Sequence, residues 1–228
     1  MARGFTLMEL MVVVIVISIL AALALPSMVK ARDDRRVYDE TASVARLLRS
    51  ARLRAVGRGA AVAVSMTTSN SATNRGTFQV FEAVTVNPTT NGSAPVSSAS
   101  NRTPLSSCVN ADWTQAPGAG NKLLVETLDL NDDRDKTVNL LSSITVRSID
   151  SAGTQTNSSV TTAWLCFTPA GRPYVDTGNA NPTFSGATIL VDLNICVARG
   201  GLCGSSAVLG IQRSVLVPPT GMARMYSR

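Results

Sequence analysis

Histidine is absent from all 228 residues. That removes the side chain most used for proton transfer near neutral pH and for metal ligation. Aromatic residues are few, with five Phe, three Tyr and two Trp. No C-x-x-C pair occurs, so zinc has neither of its usual ligand patterns. There is no G-x-S-x-G, no phosphate-binding glycine loop and no paired carboxylates in a recognisable catalytic context. These absences exclude the common enzyme classes, and the chain is read as a non-enzyme without metal or cofactor. No internal repeat is present.

Charge is unevenly spread. Basic residues outnumber acidic ones 21 to 15, yet Lys30–Arg58 alone holds nine basic and four acidic residues. From Gly59 onward the count is eleven to ten. The high isoelectric point therefore belongs to one segment. Its basic side chains suit anionic headgroups, acidic neighbours or plain solvation. The four cysteines, Cys108, Cys166, Cys196 and Cys203, all follow an apolar N-terminal run. An even number in an exported chain suggests two disulfides. Of the three pairings, Cys108–Cys166 with Cys196–Cys203 is expected, the latter closing the short loop ARGGL.

The chain begins MARGFTLMELMVVVIVISILAALALP. From Phe5 the apolar run is just long enough to cross a hydrocarbon core of about 30 Å as a helix. Glu9 is the exception within it. A carboxylate there costs about 2.5–3.5 kcal/mol on insertion scales, so it is normally paired and functional. A secretory signal peptide is one alternative, since Ala22-Leu23-Ala24 offers an A-x-A-like site ahead of Leu25. A simple membrane anchor is another.

Gly4, Phe5-Thr6-Leu7 and Glu9, followed by an apolar helix, resemble the class III signal of type IV prepilins and pseudopilins. The resemblance implies cleavage after Gly4 by a prepilin peptidase and methylation of the new amine on Phe5. It implies packing of the apolar helix among other pilins or pseudopilins in a filament core. Glu9 then neutralises the amine of an adjacent subunit. The implied location is the inner membrane, single-pass with a periplasmic domain, and afterwards a pilus or pseudopilus.

Beyond Pro26 the pattern stays helical to about Val56. Val37, Thr41, Val44, Leu48, Ala51 and Ala55 recur at spacings of four and three and form one stripe. Arg32, Arg35, Arg46, Arg49 and Arg54 fall on the other side. Pro26 predicts a kink or break, and Gly57 and Gly59 a stop. Strands rich in Val, Thr, Leu and Ile are expected at 60–68, 77–86, 123–128, 138–149, 160–168, 188–197 and 208–217. The stretches 87–121 and 179–186 read as surface loops, the first long enough for partial mobility. The fold expected is α+β: a leader (1–4), an apolar helix (5–26), an amphipathic helix (27–58) and a mostly antiparallel β domain (59–228).

Three later stretches resemble the GspH/FimT family of minor pilins and pseudopilins. They are Arg46-x-x-Arg49-x-Ala51-Arg52-x-x-Ala55-Val56, then Cys166-Phe-Thr-Pro-Ala-Gly171-Arg-Pro173, and a final strand carrying Arg213 and ending at Gly221. The implied fold is the pilin fold. The implied role is a minor pilin at or near the tip of a type IV pilus. The counterpart in type II secretion, meeting secreted proteins, is the alternative. The tail from Gly221 to Arg228 resembles a G-R-x-R motif that binds DNA in some FimT-like pilins. Met222 replaces the first arginine, leaving Arg224 and Arg228 as candidate DNA contacts. Asp129, Asn131, Asp133 and Asp135 alternate as in calcium loops. Arg134 stands where such a loop turns on glycine, so a solvated turn is the better reading.

Overall fold

A computed structural model describes residues 7–71, 74–86, 102–111, 113, 122–130, 140–149, 155–177, 182, 184, 189–198 and 208–227. Helix α1 runs from Leu7 to Arg58, 52 residues without interruption. The break expected at Pro26 does not occur. One missing N–H removes a single link of the ladder, which need not end the helix when the flanking turns are strongly helical. The helix stops at Gly59, whose φ of 65° is the left-handed conformation that closes a helix.

The stripe read from the sequence is the buried face. Val37, Thr41, Val44, Leu48, Ala51 and Ala55 are all buried. Thr41 resolves its polarity locally, its hydroxyl donating to the Val37 carbonyl. Among the described residues, no helix is long and apolar enough to cross a membrane. The apolar part whose side chains are described, Leu7–Ala22, is about 24 Å long at about 1.5 Å per residue, short of a core of about 30 Å. Phe5, Thr6 and the side chains of residues 23–26, which completed the expected span, lie outside the described residues.

Eleven strands follow among the described residues. The first sheet contains β1 (Val62–Ser71), β2 (Asn74–Val86), β3 (Arg102–Pro104), β4 (Lys122–Asp129), β7 (Thr162–Phe167) and β8 (Pro173–Asp176). Its order is β3-β2-β1-β7-β8, with β4 also on β2. The second sheet contains β5 (Leu140–Ile149), β6 (Gln155–Val160), β9 (Ile189–Ala198), β10 (Val208–Val217) and β11 (Arg224–Ser227). Its order is β11-β10-β9-β5-β6. Every pairing is antiparallel.

The seven strands read from the sequence are all present; β3, β6, β8 and β11 are additional. The strand read from the sequence at 208–217 has those bounds, and it does not extend to Gly221 as the family resemblance implied. Pro218–Gly221 instead forms a turn, with Gly221 N donating to Pro218 O.

Strand alternation divides the interior in two. On one face of the first sheet, Val62, Val64, Phe78, Val80, Leu165 and Phe167 pack with the helix stripe and with Val215 and Val217 of β10. On the other face, Ala63, Phe81, Trp164 and Cys166 pack beneath Cys108, Ala111 and Trp113. Residues 102–111 with Trp113 thus form a strap over the sheet. That corrects its reading as part of a surface loop. Trp113 supplies the reason: its Nε1 donates to the Cys108 carbonyl, and its own carbonyl accepts from Lys122 Nζ.

Candidate functional site

Two regions of helix α1 bear on function. The first is its N-terminal part. Leu7, Met8, Leu10 to Ile17, Ile19 and Leu20 are each 46–80 % exposed. An apolar surface running all round a helix needs cover from lipid or from other helices. Glu9 is exposed in the first turn, where a carboxylate meets the positive end of the helix dipole. Gly4 and Phe5 lie outside the described residues.

The second region is the arginine-bearing end of the helix, where residues distant in sequence converge. The side chain of Glu82 faces the helix, on the same side of β2 as Phe78 and Val80, and is fully buried. It accepts from Arg54 Nε at 2.7 Å and from Arg58 Nε at 3.1 Å. Arg52 Nε donates to Gly171 O at 3.2 Å, and Arg49 Nε to Ala223 O at 3.0 Å. The turns that receive these arginines require glycine. Gly171 and Gly221 have φ of 74° and 79°. A Cβ on Gly221 would lie 2.4 Å from Gly171 O and 3.0 Å from Arg52 Nε. The three stretches 46–56, 166–173 and 213–221 therefore meet around Arg52, which ties the helix to both sheets.

The arginine face is solvated only in part: Arg49 and Arg54, together with Arg52 and Arg58, bond to the domain, whereas Arg46 bonds within the helix. Nearer the N-terminal end, Asp34 accepts the Ile211 N–H at 2.9 Å beside the irregular register of β10. Arg213 stacks over Tyr38 at 5.0 Å.

Cys108 and Cys166 form a disulfide with a Cα–Cα distance of 6.0 Å, fastening the strap to β7. Cys196 is on β9; Cys203, and with it the expected second bridge, lies outside the described residues. Arg224 is exposed at the start of β11, so the residues expected as a free tail form an edge strand, with Leu216 opposite Arg224 and Ser214 opposite Tyr226. Arg228 lies outside the described residues. So do residues 131–135, while Asp129 ends β4. Among the described residues, no cluster of acidic, Cys or His side chains fits a metal ion. Glu82 and the Arg52 junction escaped the sequence reading. The signal for Glu82 was present: an acid at the core-facing parity of Phe78 and Val80.

Residues 1–25 match the family model of the prokaryotic N-terminal methylation motif. The chain carries a type IV prepilin-like signal. That signal marks a pilin-like or pseudopilin chain with a membrane-associated precursor and a destination in a pilus or pseudopilus. No curated protein and no solved structure matches the chain.

Proposed function

We propose that this chain is a minor pilin or pseudopilin of the GspH/FimT type, incorporated at or near the tip of a type IV pilus. A prepilin peptidase cleaves after Gly4, and the amine of Phe5 is methylated. The apolar helix then leaves the inner membrane and packs among the helices of other subunits. Glu9 cancels the charge of an adjacent subunit's terminus during that transfer. The reading assigns the chain no catalytic activity.

The observation that carries the proposal is the all-round exposure of Leu7–Leu20, with Glu9 as its acidic exception, directly behind the processing signal. Lipid already covers these side chains, so the drive comes from close packing between helices and not from removing apolar surface from water. Glu9 supplies register, because an unpaired buried charge disfavours every misaligned neighbour. The same geometry serves a pseudopilin of type II secretion.

Replacing Glu9 by Val tests the mechanism. The variant should remain in the inner membrane at normal abundance and be missing from sheared filaments. Normal incorporation would refute the role of Glu9.

A further inference from the structure

Arg49 and Arg52 reach the two glycine turns at the carbonyls just ahead of Arg224 and Arg172, and none of the four arginines has a carboxylate partner among the described residues. Arg49 and Arg52 are both held through Nε, by Ala223 O and Gly171 O. The terminal nitrogens of Arg49 have no hydrogen-bond partner among the described residues, whereas Arg52 Nη1 meets the Met222 sulfur at 3.9 Å and its Nη2 packs against Gly171. Arg172 and Arg224 follow Gly171 and Ala223 in the chain and are exposed. Arg54 and Arg58, on the opposite flank of the helix, differ because they share the Glu82 carboxylate. A guanidinium fixed at Nε presents its fork already ordered, which suits two-point recognition of a planar anion.

The surroundings choose among anions. Leu53, Val56 and Met222 are 65 %, 49 % and 52 % exposed. Leu53 follows Arg49 by one turn, and Val56 follows Arg52 by one turn, so they share its side of the helix. Arginine and methionine with apolar residues, and no lysine, is the composition of a protein interface centre. From Gly59 onward, eleven basic residues face ten acidic ones. The surplus of positive charge sits on the helix segment 30–58. The positive surface is therefore a narrow flank beside a nearly neutral domain and not the broad field typical of a nucleic-acid-binding domain.

We propose that this flank docks an acidic protein partner. Carboxylates of the partner enter the forks of Arg49 and Arg52, with Arg172 and Arg224 around them. Apolar side chains of the partner cover Leu53, Val56 and Met222. The proposal stands apart from filament assembly and is tested without it.

The test uses the full chain in nonionic detergent micelles at near-physiological ionic strength. Three labelled probes of equal net charge are titrated by fluorescence anisotropy: a helical peptide with a mixed Glu/Leu face, an all-glutamate peptide, and a single-stranded oligonucleotide. The Glu/Leu peptide should bind best, by about tenfold. Arg172→Glu/Arg224→Glu should lower its affinity by about tenfold or more without moving the melting midpoint, since both side chains are exposed. Arg49→Lys should weaken binding severalfold while keeping the charge. Three results would each overturn the proposal: equal or tighter binding of the oligonucleotide, unchanged peptide binding by the charge-reversed chain, or no binding of any probe.

Discussion

Glu82 poses the residue-scale question of which partner matters in a buried ion pair. The acid is fully buried, whereas the Arg54 and Arg58 side chains are 35 % and 55 % exposed. Removing the acid lets two guanidiniums turn to water. Removing the arginines strands a carboxylate in the interior. Glu82→Gln should therefore cost about 1–3 kcal/mol, and Arg54→Ala/Arg58→Ala about 3–5 kcal/mol. Urea unfolding of both variants checks the order, and a larger loss for Glu82→Gln would contradict it. The glycines at the helix end make a second residue-scale prediction. Gly57 has open space and no positive φ, while Gly59 has open space with φ of +65°. Gly57→Ala should stabilise by about 0.5–1 kcal/mol. Gly59→Ala should destabilise by about 1–2 kcal/mol. Thermal midpoints moving in the same direction would argue against this account of the helix stop.

At the scale of elements, the strap depends on its disulfide. Cys108 and Cys166 are 58 positions apart. Opening a loop of that length relaxes the unfolded chain and costs about 4 kcal/mol on the entropic estimate. Cys108→Ala/Cys166→Ala should lose about that much. It should also speed hydrogen exchange at Leu105 and Ala61, whose amides bridge the strap and the first sheet, before it affects helix α1. Uniform loss of protection would mean that the strap is not a separate unit. The sequence made some of this readable. Seven long strands announced themselves by alternation and β-branched content, and the helix stripe by its period. Of the four missed strands, β3, β8 and β11 are three or four residues long, too short for a period to emerge, while β6 is as long as β7 but polar. Polar residues such as Asn157, Ser158 and Ser159 in β6 further hide it. Arg52 could be recognised as part of a motif, but not as a junction. Its bond to Gly171 spans 119 positions, and no local pattern encodes such a contact.

For the whole molecule, the division of labour follows from where apolar surface is left uncovered. The distal helix buries its stripe against both sheets; the proximal helix keeps its apolar side chains exposed from Leu7 to Leu20. The distal half packs against its own sheets, and the proximal half leaves its apolar surface uncovered. Everything proposed for the proximal half begins with exposure of the Phe5 amine beside Glu9. Mass spectrometry of the N-terminal peptide from the mature protein tests that directly. The account predicts a chain beginning at methylated Phe5. A mature chain beginning at Leu25, or retaining residues 1–4, would contradict it.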